Sequence, residues 1–195
     1  MSNYYTPCIL RESAEGTVRI PIEDEMFQRR EIQCVGEINR ETVNAMILQL
    51  RYLQAQDDAG EITIFVNSPG GNVSDGLALL DTMAALRCPT RTVCMGMAAS
   101  MGALIFASGN KRDIVPHARV MIHDPLISGG IGGSALKLDA IAKDLMRTRE
   151  ITAQILADCT GHTIEEIYER TAQDTYFTAK EALEFGLADR IIHEI

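Results

Sequence analysis

Twice in residues 61–108 the chain passes from a short β-branched stretch, through glycine, into a helical pattern. "EITIFVN" leads into Ser68-Pro69-Gly70-Gly71-Asn72, a turn cluster, and then into a helix with Leu77, Leu80 and Ala84 on one face as far as Pro89. "RTVCM" leads through a turn at Gly96 into a helical segment over 100–108, and a third strand, "ARVMIH", follows Pro116. Upstream, Val43, Met46, Ile47, Leu50 and Leu53 recur at helical spacing over 42–56, and Gly60 marks the stop. Strands that alternate with helices are joined by crossovers, which makes neighbouring strands parallel. The expected class is therefore an α/β layer fold.

Past His123 the alternation breaks. "DPLISGGIGGS" reads as a glycine-rich loop, and residues 134–159 carry Leu138, Ile141, Leu145 and Ile155 in a run long enough for one extended helix, closed by Gly161. Thr163 with Glu166 and Thr178 with Glu181 have the spacing of capping boxes for two short helices, the second closed by Gly186. The tail "ADRIIHEI" reads as a last strand.

Composition narrows the function classes. The net charge is −9 and lysines and arginines do not cluster, so a nucleic-acid surface is not expected. The start, "MSNYYTPCILRESAEG", lacks the basic and apolar regions of a secretory signal. The five cysteines include no C-x-x-C pair, which fits reduced thiols rather than a disulfide frame or a zinc site. A cytoplasmic protein is expected. The uncharged run over 92–110 is the one candidate membrane span, but glycines and serines interrupt it and Arg91 and Lys111 flank it. A buried strand followed by a buried helix accounts for it better.

That run holds "GMAASMGA", where Ser100 is placed beyond a strand end and at a helix start. Parallel α/β sheets gather reactive groups beyond the carboxyl ends of their strands. Gly70 and Gly71 lie at another such end and His123 at a third. A hydroxyl, an imidazole and bare glycine N–H groups are the components of nucleophilic acyl transfer with an oxyanion hole. Each also has an ordinary structural role: a serine caps a helix, a Gly-Gly makes a turn, and a histidine at a strand end is a satisfied structural residue, as His117, His162 and His193 are expected to be.

"NSPGG", "CMGMAASMGALIFASG", "RVMIHDPL" and "FTAKEALEFGLAD", in this order and spacing over 36–192, resemble the proteolytic-subunit family of the Clp proteases. The resemblance implies a crotonase-like fold of repeated β-β-α units with a protruding handle helix, and a single peptidase domain over 1–195. Within it, 1–35 would be a divergent entrance-loop region and 124–160 the ring-to-ring loop and helix. It implies a serine endopeptidase in stacked heptameric rings, cutting unfolded polypeptides fed by an AAA+ unfoldase. By the same resemblance, Ser100 matches the nucleophile, His123 the general base, Asp174 the acid, and the N–H groups of Gly71 and Met101 the oxyanion hole. It calls for no metal and no organic cofactor, ATP being used by the unfoldase. The competing acid is Asp124, but adjacent residues of an extended chain point to opposite sides, which places it poorly to orient His123.

The departures from the family pattern lie in the ring-to-ring region and at the entrance. Glu25-Met26-Phe27-Gln28-Arg29-Arg30 stands where the family has an apolar strand, and Asp124-Pro125 and Gly133-Ser134-Ala135-Leu136-Lys137 replace glutamine-containing segments. Ala172-Gln173 stands where many members carry an Asp-Arg pair that bridges the rings, and Thr63 replaces an aromatic of the unfoldase-docking pocket, with Phe65 retained. A structural or weakly active ring subunit paired with a second Clp-type chain is the alternative these changes raise. A crotonase-type acyl-CoA enzyme is a further one, which would not need the serine and histidine blocks.

Overall fold

The computed structural model describes residues 7–14, 16–127, 129–130 and 132–195. The beginning of the entrance region, residues 1–6, and Glu15, Ser128 and Ile131 fall outside the described residues. The order is β1 (Cys8–Ser13), β2 (Gly16–Pro21), α1 (Ile22–Gln28), β3 (Glu31–Ile38), α2 (Arg40–Gln56), β4 (Ile62–Gly71), α3 (Val73–Ala85), β5 (Thr90–Ala99) and α4 (Met101–Ala107). There follow β6 (Lys111–Ile114), β7 (Arg119–Ile122), α5 (Ala135–Thr160), α6 (Ile164–Thr171), β8 (Thr175–Thr178), α7 (Ala179–Glu184) and β9 (Arg190–Ile191).

β1 and β2 form an antiparallel hairpin. The other seven strands form one sheet in the order β3-β4-β5-β6-β9, with β7 pairing the far half of β5 and β8 pairing β7. Every pairing in this sheet is parallel except β7–β8. The expected mixed α/β architecture with a mostly parallel sheet is what forms. Its centre reads as continuous apolar runs because both faces are covered: Ile62, Ile64, Val66, Val93 and Cys94 have no exposed surface.

Several local expectations are corrected. Ser68-Pro69-Gly70-Gly71 is no turn but the end of β4, which runs on beside β3 through a bulge between Val35 and Glu37. Gly96 does not begin a turn either. It sits inside β5, with φ of 87°, where the register of β4 and β5 shifts. The bulges shift the pairing of β3–β4 and β4–β5 in the segments that lead to Gly70 and Ser100. The tail contributes only Arg190–Ile191 to the sheet. β6, β8 and the β1–β2 hairpin have no signal in the alternating pattern.

The helices form largely where spacing and caps place them. Asn39 caps α2, Ser134 caps α5, and Thr163 and Thr178 make reciprocal capping boxes with Glu166 and Glu181. Gly161, in the left-handed region, closes α5. α5 has 26 residues, about 39 Å of helix, and its buried residues are confined to Thr152, Ala153, Leu156 and Ala157. Its first part therefore stands away from the body. The uncharged run forms the buried β5–α4 unit, and among the described residues no helix is long and apolar enough to cross a membrane.

Candidate active site

Sheet register brings the chemistry together. In the β5–β7 pairing Ala99 lies opposite Met121, and the Ser100 N–H donates to the Met121 carbonyl at 2.8 Å. His123 follows at the end of β7. In the antiparallel β7–β8 pairing Ile122 lies opposite Thr175, so one further step along both strands sets His123 opposite Asp174. The side chains meet accordingly: His123 Nε2 is 2.8 Å from Ser100 Oγ, and His123 Nδ1 is 3.0 Å from Asp174 Oδ1.

A carboxylate only accepts hydrogen bonds, so Nδ1 carries the proton opposite an ionised Asp174, and Nε2 is left to accept from the Ser100 hydroxyl. The histidine side chain is 16% exposed and that of Asp174 57%. The imidazole is thus largely enclosed, while the carboxylate sits at the surface of the chain.

The ordinary explanation for Ser100, a helix cap, does not hold. Its side chain makes no capping bond to α4, and its backbone has φ 54° and ψ −122°. Such a conformation costs a non-glycine residue about 1–3 kcal/mol and persists only where the surroundings impose it. Here they do, because all seven residues of α4 are buried and the Ser100 N–H is bound to β7. The sharp strand-to-helix turn presents the hydroxyl to His123.

Glycines 70 and 71 have to be glycine for reasons the backbone makes plain. A Cβ on Gly70, at φ 97°, would fall 2.7 Å from the Ser100 Cβ and 2.8 Å from the Ala99 carbonyl oxygen. One on Gly71 would fall 2.1 Å from the Ile38 carbonyl oxygen. The tight approach here is to the protein's own strands, in addition to any approach by a substrate. The same would-be Cβ of Gly70 lies 3.2 Å from the Met101 N, so the glycine strand end and the first N–H of α4 are close neighbours. As the first residue of a helix, Met101 has no intrahelical acceptor for its N–H.

Ser68, which the sequence marks only as part of a turn cluster, supports this corner. It is 1% exposed, its hydroxyl donates to the Gly36 carbonyl at 2.6 Å, and it accepts from the Gly70 N–H at 3.1 Å. No local signal could have found it, since Gly36 is 32 residues away.

The competing groups have other engagements. Asp124 accepts from Arg149 Nε and from Thr171 Oγ1, each at 2.6 Å. His162 stacks on Phe185 at 4.1 Å between centroids and lies 3.2 Å from Glu166. Burial pushes the thiols of Cys34 and Cys94 up to about 12, so neither supplies a thiolate nucleophile at neutral pH. Among the described residues no three of His, Cys, Asp and Glu converge as a metal site requires.

The model of the Clp protease family matches residues 14–195.

Proposed function

Because this chain belongs to the Clp protease family, a family of serine peptidases, we propose that it is a Ser-His-Asp endopeptidase subunit that hydrolyses unfolded polypeptides inside a ring chamber. The observation that carries the reading is the bonded sequence Ser100–His123–Asp174, with Ser100 held in an imposed conformation and free of any capping duty. Ser100 Oγ attacks the peptide carbonyl as its proton passes to His123 Nε2, and Asp174 stabilises the resulting imidazolium. The N–H groups of Gly71 and Met101 receive the oxyanion. His123 then protonates the leaving amine, and a water molecule, activated by the same imidazole, releases the acyl group from Ser100.

Two features support the assembly. Leu136, Leu138, Met146 and Ile151 are exposed along the protruding part of α5, and Leu126 and Ile127 precede it in the loop. Exposed apolar side chains of this kind suit a contact between stacked heptameric rings. Thr63, Phe65, Arg91 and Met95 line a cavity of ≈ 310 Å³ together with Arg29 and Ile195. Thr63, Phe65 and Arg91 belong to the first halves of β4 and β5 and Met95 to the middle of β5, away from the strand ends that carry the site. Docking of an AAA+ unfoldase there, with ATP spent by that partner, leaves the hydrolytic chemistry undisturbed. The cavity's two arginines and Thr63 make it more polar than an aromatic-lined pocket. Ala172 and Gln173, uncharged where the family bridges its rings, support a second reading in which another Clp-type subunit completes the double ring.

A fluorophosphonate probe tests the nucleophile. The unmodified protein should be labelled at Ser100 and should cleave short fluorogenic peptides without nucleotide, while Ser100→Ala should lose both properties and keep its fold. Equal peptide cleavage by Ser100→Ala would overturn the assignment. Breakdown of a stably folded substrate by the isolated chain would contradict the enclosed chamber.

A further inference from the structure

The carboxylate next to His123 is committed to two other elements. Asp124 Oδ1 accepts from Thr171 Oγ1 and Oδ2 accepts from Arg149 Nε, both at 2.6 Å, and the Asp124 N–H donates to the Thr171 carbonyl at 2.8 Å. The Arg149 guanidinium lies 3.8 Å from the centroid of the Tyr168 ring, which holds its plane from a second side. Thr171 is the last residue of α6, is 3% exposed, and stands three positions before Asp174.

These bonds close a small loop of chain around the site. Ile122 is tied to Thr175 by the β7–β8 ladder, and Asp124 is tied to Thr171 by a backbone and a side-chain bond. His123 and Asp174 lie between the two ties. The turn that carries Asp174 is braced internally, since Thr175 Oγ1 donates to the Arg170 carbonyl at 2.6 Å. Asp174 itself is more than half exposed, so packing does little to hold it. Its position against Nδ1 depends on how the two ends of its turn are fixed.

Arg149 adds a charge argument. With the guanidinium on Asp124, the carboxylate beside His123 in sequence is neutralised, and Asp174 is the one whose charge faces the imidazole. The pair is partly buried, 23% and 33% exposed, and its geometry is fixed by three further contacts, so it is less screened than a surface ion pair.

We propose that Asp124, Thr171 and Arg149 form a positioning clamp that holds Asp174 against His123, an inference that rests on the reading of Ser100, His123 and Asp174 as the reacting groups. The clamp residues touch no substrate. They act through the orientation of the His123–Asp174 pair.

Phosphonylation kinetics of Ser100 measure that orientation directly. In the reaction Ser100 Oγ attacks phosphorus, the P–F bond breaks, fluoride leaves, and the serine proton passes to His123. Thr171→Val, which removes the hydroxyl and keeps the shape, and Arg149→Met, which removes the charge and keeps most of the length, should each lower the maximal rate about tenfold, with the half-saturating probe concentration unchanged. Thr171→Ser, which keeps the hydroxyl, should restore the rate to within about twofold. The double variant should be about as slow as the slower single one, because both changes disable one device. Asp124→Asn keeps an acceptor for Thr171 and loses only the charge facing Arg149; its expected loss is about threefold, and it serves if a harsher variant does not fold. Thermal melts on the same samples define the folded fraction. Folded variants that react at the unmodified maximal rate, whatever their melting temperature, would overturn the clamp. Absence of Ser100 labelling in the unmodified protein would instead overturn the proposed function, so the two failures are distinct.

Discussion

Helices α4 and α5 meet the rest of the chain in opposite ways. All seven residues of α4 are buried, whereas α5, nearly four times as long, buries four residues near its C-terminal end. α4 carries at its start the strained Ser100, and its close packing imposes that conformation. The protruding part of α5 presents Leu136, Met146 and Ile151 as exposed side chains that none of the described residues fully covers. The site is therefore assembled within one chain, while the long helix has a surface suited to another. Thr152 and Leu156 mark where one regime passes into the other.

If the site is complete within one chain, damage to it should be large and local. Asp174→Asn should lower peptidase kcat about 10²–10⁴-fold, because the amide no longer fixes the imidazole's orientation or balances its charge. Asp124→Asn should be far milder, and steady-state kinetics that reverse this order would show the acid to be misassigned. The folding counterpart is a pair of substitutions, one on each helix. Leu104→Ala in α4, at a site 5% exposed, should cost about 2–5 kcal/mol of stability. Ile151→Glu in α5, 49% exposed, should stay within about 0.5 kcal/mol while reducing ring association in sedimentation. Equal losses of stability for the two would erase the contrast between the helices.

Acid should also act on the body. At Asp113, burial pushes the carboxyl pKa up, but bonds from Arg190 and Arg91 outweigh burial and hold it below the ordinary carboxylate range. A carboxyl whose folded pKa is depressed contributes stability above its unfolded pKa and loses it as pH falls through the folded one. Melting temperature should therefore be level from neutral pH down to about 5 and fall below about 4. Asp113→Asn should be less stable at neutral pH, with the gap to the unmodified protein narrowing in acid. A gap that widened would reverse the sign of the linkage. The smallest effect is expected at the ring contact: Ala172→Asp with Gln173→Arg should add about 0–1 kcal/mol per pair, multiplied around a ring. Sedimentation showing a stable double ring of full activity in the unmodified protein would make that addition superfluous.

Much of this was legible in residue order. Apolar spacing located α2, α3 and α5, the Thr163–Glu166 and Thr178–Glu181 boxes began α6 and α7, and Gly161 ended α5, because these signals act over one or two turns of chain. Ser100 and His123 could be placed at strand ends for the same reason. β6 was not legible: three of its four residues, Lys111, Arg112 and Asp113, are charged, and Arg91 and Arg190, 22 and 77 residues distant from Asp113, make a buried carboxylate tolerable there. The Gly70–Gly71 segment became strand because β3 pairs with it, a partner no local pattern announces. Asp174 could be singled out by family likeness, but its meeting with His123, 51 residues away, is decided by the β7–β8 register. Helical periodicity and caps are properties of neighbouring residues and survive in the sequence, whereas register between strands exists only once the sheet has formed, and it is register that aligns hydroxyl, imidazole and carboxylate.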